Sequence, residues 1–254
     1  MHIERTGSGP DLVLLHGWAM HGDIFAPLID ALRSHWTLHV VDLPGHGRSR
    51  DDATALTLDS LAGSLLASLP RAVWVGWSMG GLVAQRAALS NPRNVRALVA
   101  IASSPRFVAA SDWPHGVGGE VFRQFGADLQ ADWRGTVERF LALEVLGSAH
   151  AHDDLRVLRA NLFAHGEPAP HVLAHGLAIL DTTDLRGDLA GLTIPSVWIA
   201  GRRDRLVPAA AVAAAADIAP GGEFVGIAGA GHAPFLQHAE AIADAIARLG
   251  DRAP

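Results

Sequence analysis

"AVWVGWSMGGLVAQRAALS", residues 72–90, changes character at its seventh residue. Up to Trp77 it is an apolar, β-branched run; beyond Ser78 it is rich in small residues and Leu, with helical spacing. Glycines stand two positions either side of the serine, at Gly76 and Gly80. A serine in a plain surface turn needs neither. A serine forced into a strained strand-to-helix turn needs both, because side chains there would collide while the hydroxyl points out of the sheet. The stretch predicts a strand over 72–77, a nucleophile at Ser78 and a helix over 79–90. The helix N-terminus would offer N–H groups and a positive dipole end to a developing oxyanion.

The same rhythm extends in both directions. "DLVLLHG" (11–17), "TLHVVDL" (37–43), "VRALVAIAS" (95–103), "SVWIAG" (196–201) and "EFVGIAG" (223–229) read as further strands. Helical patterns fall near 24–33, 57–69, 209–217 and 235–249. Strands that are continuously apolar are buried on both faces, which predicts a mostly parallel, doubly wound α/β sheet. The rhythm breaks over 105–184, where Pro105, Pro114, Pro168 and Pro170 punctuate amphipathic patterns such as 135–147 and 152–164. We read residues 1–104 and 185–254 as one α/β core and 105–184 as an inserted helical cap.

Composition narrows the function. A chain of 254 residues with 49% hydrophobic and 18% charged residues supports one large core. A net charge of −6 gives no footprint for nucleic acid. With no cysteine, disulfides and thiol chemistry are excluded, and the 14 histidines show no ligand spacing of the His-Glu-x-x-His kind, so no metal is expected. "MHIERTGSGPDLVLLHGW" lacks the apolar stretch of a signal peptide, and no run is long enough for a membrane span. A cytoplasmic, cofactor-free monomer is the expectation.

A serine nucleophile needs a general base, and the base needs a carboxylate to orient it. In this chain order the acid and then the histidine should each follow a strand. "SVWIAGRRDRLVP" puts Asp204 after one strand and "EFVGIAGAGHAPF" puts His232 after the next, in a glycine-rich loop. Asp181 and Asp184 are the alternative acids. Two backbone donors must meet the oxyanion. Met79 N–H follows the nucleophile, and "LLHGWAM" (14–20) can present Trp18 N–H after the tight turn His16-Gly17. In "VDLPGHGRS" (41–49), Asp42, Gly45 and Gly47 shape a loop and carry no chemistry.

Taken together, "LLHGW", "DLPGHGRSR", "GWSMGGLVA", "VRALVAIASSP", "TVERFLALE", "GRRDRLVP" and "GHAPF" resemble the α/β-hydrolases. More narrowly the chain is similar to the pimeloyl-acyl-carrier-protein methyl ester carboxylesterases of biotin synthesis. "GWSMGGLVA", "IASSP" followed by Asp112-Trp113-Pro114, and "TVERFLALE" carry the narrower likeness. The resemblance implies hydrolysis of a methyl ester on a pimeloyl chain borne by acyl carrier protein. It also implies substrate contacts from Trp18, Ser78, Met79, Phe140, Leu141, Ala142, Leu143, Glu144 and His232. Arginines on the cap would grip the acidic carrier: Arg139 and Arg156 match, with Arg134 and Arg159 nearby. Gly135 and His152 stand where further arginines are expected, and residues 105–184 hold 6 Arg against 11 Asp and Glu. Rival readings are a carrier-independent short-chain esterase, a C–C bond hydrolase or aminopeptidase of the same fold, and a non-catalytic receptor.

Overall fold

The computed structural model describes residues 1–250. Seven strands form one sheet: β1 (His2–Gly7), β2 (Asp11–Leu15), β3 (Thr37–Asp42), β4 (Ala72–Trp77), β5 (Val95–Ile101), β6 (Ser196–Gly201) and β7 (Glu223–Ile227). Their spatial order is β1-β3-β2-β4-β5-β6-β7. Every pairing is parallel except β1 with β3. β3, β4 and β6 are buried along their whole length, which is why β4 and β6 read as nearly continuous apolar runs. β1 is half exposed and pairs on one side only. Its sequence "HIERTG" carries too little apolar signal to be read as a strand.

Helices α1 (Ala26–Leu32), α2 (Leu58–Ser68), α3 (Met79–Ser90), α9 (Ala209–Ile218) and α10 (Ala239–Gly250) connect or follow these strands. Between β5 and β6 the chain builds α4 (Gly119–Ala131), α5 (Trp133–Glu144), α6 (Ala151–Leu162), α7 (Pro170–Thr182) and the one-turn α8 (Arg186–Leu189). Of these, α5 and α6 lie close to the amphipathic patterns of the sequence, whereas α4 and α7 had no distinct signal there. α3 shows why the elbow region is so rich in small residues. Nine of its twelve residues are buried, since it lies between the sheet and neighbouring helices.

The strand order reverses direction between β2 and β4. In open α/β sheets the crevice beyond the carboxyl ends of the strands at such a point is where ligands bind. Three non-glycine residues have positive φ, Ala19 (63°), Ser78 (53°) and Ala102 (45°), and they lie beyond the C-terminal ends of β2, β4 and β5. Backbone strain is concentrated at that edge.

Candidate active site

Ser78 sits between β4 and α3 with φ 53° and ψ −119°. A Cβ at Gly76 would overlap the Gly80 backbone, and one at Gly80 would overlap the Leu15 and His16 carbonyls. Glycine at both positions is therefore a steric requirement of the turn. Serine is a favoured N-cap, yet the Ser78 hydroxyl makes no capping bond to α3. It donates instead to His232 Nε2, at 2.9 Å. His232 Nδ1–H donates to Asp204 Oδ2 at 2.8 Å. Asp204 Oδ1 accepts from the backbone N–H groups of Leu206 (2.8 Å) and Val207 (3.0 Å), which fixes the carboxylate. Ser78, Asp204 and His232 are all buried.

The histidine is held by its backbone as well. Its N–H donates to the Glu144 carbonyl at the end of α5 (3.1 Å), and its carbonyl accepts from Trp77 Nε1 (2.8 Å). Burial by itself would lower the His232 pKa. The Asp204 charge and hydrogen bond outweigh burial and leave it raised. Asp184 lies elsewhere, paired with Arg106 and Arg186, and Asp181 is exposed on α7. Neither alternative acid meets the imidazole.

The turn after β2 packs directly on Ser78. A Cβ at Gly17 would meet the Trp77 ring at 3.1 Å and Ser78 Cβ at 3.2 Å, so the peptide before Trp18 lies against the elbow. Buried His16 braces this turn: Nδ1–H donates to the Gly17 carbonyl (2.8 Å) and Nε2 accepts from Leu43 N–H (2.9 Å). Burial pushes its pKa down to about 3, so the imidazole stays neutral and can hold both bonds. Trp18 Nε1–H donates to the Leu173 carbonyl of α7 (2.8 Å), and its ring packs on Phe140 and Phe125. Asp42 organises the following loop through bonds from Gly22 N–H, Arg48 N–H and the Arg48 guanidinium.

A cavity opens over Ser78 and His232. Phe140 and Leu143 of the expected substrate segment line it. The rest of that segment does not: Leu141 and Glu144 are buried away from it and Ala142 faces solvent. Trp18 and Met79 are not in the lining either; Trp18 backs Phe140 from behind. The lining also takes in Phe107, Val117, Val121, Phe122 and Phe125, together with Leu177, Leu180 and Leu206. Sequence reasoning misses these because they scatter over segments that only the fold brings together; the one available signal is the apolar face of 117–125. Apart from Ser78 and His232 every lining side chain is apolar.

Among the arginines expected to meet a carrier, Arg134 pairs with Glu167, Arg139 with Asp128 (3.1 Å) and Arg159 with Glu138 (2.7 Å). Arg156 is exposed and makes no ion pair among the described residues. No helix among the described residues is long and apolar enough to cross a membrane.

The sheet order, the strained serine and its hydrogen-bonded imidazole and carboxylate define a hydrolase of the α/β class, and the chain belongs to that family: the family model for the alpha/beta hydrolase fold matches residues 10–239. Among curated relatives, it is 57% identical over 249 residues to a Xanthomonas oryzae pv. oryzae protein named pimeloyl-[acyl-carrier protein] methyl ester esterase, covering 98% of both chains. A Stenotrophomonas maltophilia protein of the same name is 56% identical over 246 residues, covering 97% of this chain and 95% of that one. Among solved structures, an esterase from Exiguobacterium antarcticum superposes with a TM-score of 0.87 at 22% identity, over 97% of this chain and 94% of the other. A bromoperoxidase from Bacillus anthracis gives 0.88 at 21%, over 98% and 94%. At such identities these two bear on the fold alone.

Proposed function

We propose that the protein is a serine carboxylesterase that hydrolyses the methyl ester of a pimeloyl chain carried on acyl carrier protein. The observation that carries the chemistry is the unbroken chain Ser78 Oγ–His232–Asp204, with separations of 2.9 and 2.8 Å, at the floor of an apolar cavity. The relatives' shared name supports the substrate. In this reading residues 105–184 form a helical cap over a core of 1–104 and 185–254.

His232 takes the Ser78 proton as the hydroxyl oxygen attacks the ester carbonyl. Met79 and Trp18 N–H groups meet the tetrahedral oxyanion, each worth about 3–4 kcal/mol of transition-state stabilisation. His232 then protonates departing methanol. Water, activated by the same imidazole, hydrolyses the acyl-enzyme, and Asp204 fixes the tautomer and stabilises the cation throughout. Phe140 and Leu143, with the other apolar side chains of the cavity, enclose the methylene chain, which offers nothing to hydrogen-bond.

Ser78→Ala is expected to abolish hydrolysis of a short p-nitrophenyl ester while the circular dichroism spectrum stays unchanged. Near-full activity in that variant would remove the mechanism. A second reading, a carrier-independent esterase, is favoured by one observation: three of the four arginines expected to meet the carrier are already paired with carboxylates of residues 105–184. Comparing turnover of the pimeloyl methyl ester on acyl carrier protein and free in solution separates the two.

A further inference from the structure

We propose that His21, Asp23 and His165 form a binding site for a transition-metal dication, zinc above all, that clasps the segment after α6 to the turn after β2. The three come from both sides of the molecule. His21 and Asp23 lie in the turn that leads from β2 to α1, and His165 follows α6, 142 residues beyond Asp23. His165 Nε2 is 2.8 Å from Asp23 Oδ2, and His21 Nδ1 is 3.9 Å from that same oxygen. One donor atom from each residue lies within 4.8 Å of the others. Donors bound to one tetrahedral zinc at about 2.0–2.1 Å sit roughly 3.3 Å apart. The two separations straddle that value, so small side-chain rotations suffice.

Each ligand is also held by an outer partner. His21 Nε2–H donates to the Asn161 carbonyl at 2.6 Å, which fixes the tautomer that leaves the Nδ1 lone pair for the cluster. That lone pair otherwise receives only a long bond, 3.3 Å, from Asp23 N–H. The Arg48 guanidinium holds Asp23 Oδ1 at 2.6 Å and turns Oδ2 towards the imidazoles. Arg48 is shared with buried Asp42, so Asp23 keeps part of its charge for the imidazoles. An imidazole with its second nitrogen on a backbone carbonyl, beside an oriented carboxylate, is how proteins prepare metal ligands.

A further observation points to a guest. His46 is 2% exposed and lines the same cavity as His21 and His165. Its Nδ1 faces the Pro44 carbonyl at 3.0 Å, but its Nε2 has no hydrogen-bond partner. A buried acceptor left bare asks for an explanation. Two imidazoles and one carboxylate suit zinc, nickel or copper and discriminate against magnesium and calcium. On ligation the His165 proton moves from Nε2 to Nδ1, with no net change of charge or redox state.

The test uses the whole, untagged protein after chelator treatment, titrated with zinc and, separately, magnesium by calorimetry and followed by thermal melting. One equivalent of zinc is expected to bind and raise Tm, with no response to magnesium. Removing an outer partner of a ligand costs about 10–100-fold in affinity, so His165→Ala should cost at least about a hundredfold. His165→Gln, which can keep the hydrogen bond to Asp23 without ligating, should lose zinc equally. Both should still hydrolyse a p-nitrophenyl ester, which shows that they fold. The exposed pair His171 and His175 on α7 is the competing zinc site, so a double alanine variant there should bind as the parent does. Absence of binding, binding that survives loss of His165, or binding lost with His171 and His175 would overturn the site.

Discussion

Burial holds the Glu144 carboxyl protonated at neutral pH. It is 2% exposed, its Oε2 has no hydrogen-bond partner, and burial pushes its pKa from 4.5 up to about 8; the His232 cation opposes this and the Asp204 charge adds to it. In the unfolded chain the same group ionises at its ordinary value. Between about pH 4.5 and 8 the folded state therefore binds the extra proton. The stability this carries is complete below that window and lost as pH rises through it. Glu144→Gln keeps the shape and removes the titration. Its unfolding free energy, relative to the parent, should rise between about pH 4.5 and pH 8 and level off above that, by a total on the order of a few kcal/mol. A difference independent of pH would mean that the carboxyl titrates normally. Nothing in "TVERFLALE" discloses this: the resemblance implied a substrate contact for Glu144, whereas its side chain is buried away from the cavity. Ser78, Asp204 and His232 were legible because each stands just past an apolar run, and strand ends in a parallel sheet converge.

At the scale of elements, the elbow shows how much of a turn can be written in glycine. Gly80 packs against the Leu15 and His16 carbonyls, which are backbone and cannot rotate away. Gly80→Ala should destabilise the protein by about 1–3 kcal/mol in urea unfolding and sharply lower ester hydrolysis, as α3 is pushed off β2. Gly63 is the contrast. It lies on the exposed face of α2, and a methyl group there would have nothing within 4 Å of it. Gly63→Ala should therefore stabilise by about 0.5–1 kcal/mol and leave turnover unchanged. Equal effects of the two substitutions would refute the steric account. The central strands were legible because burial on both faces leaves a continuous apolar run. β1 was not, because an edge strand has one half-exposed face.

Across the whole molecule, the balance of charge on residues 105–184 decides how a carrier protein would be met. Exposed ion pairs contribute only about 0–1 kcal/mol, so Arg139 can exchange Asp128 for a partner, whereas Arg156 has none to give up. Arg156→Ala should raise KM for the carrier-borne ester several-fold, more than Arg139→Ala, with the free ester unaffected and the gap closing at high salt. Steady-state kinetics at two ionic strengths checks this; equal loss on free and carried esters would place Arg156 in folding instead. The likeness of residue patterns pointed to these arginines, but which of them were already neutralised depends on helices packing side by side, and no spacing encodes that. The same is true of His21 and His165, whose separation along the chain hides their closeness in space.

Two bonds to the helices beyond β5 have a joint consequence. The Trp18 indole is tied to the Leu173 carbonyl, and the His232 amide to that of Glu144. If residues 105–184 act as the proposed cap and lift, the turn carrying Trp18 and the imidazole of His232 would lose a tether at the same moment. In the proposed mechanism, entry and cleavage would then exclude one another: a raised cap would admit an ester without turning it over.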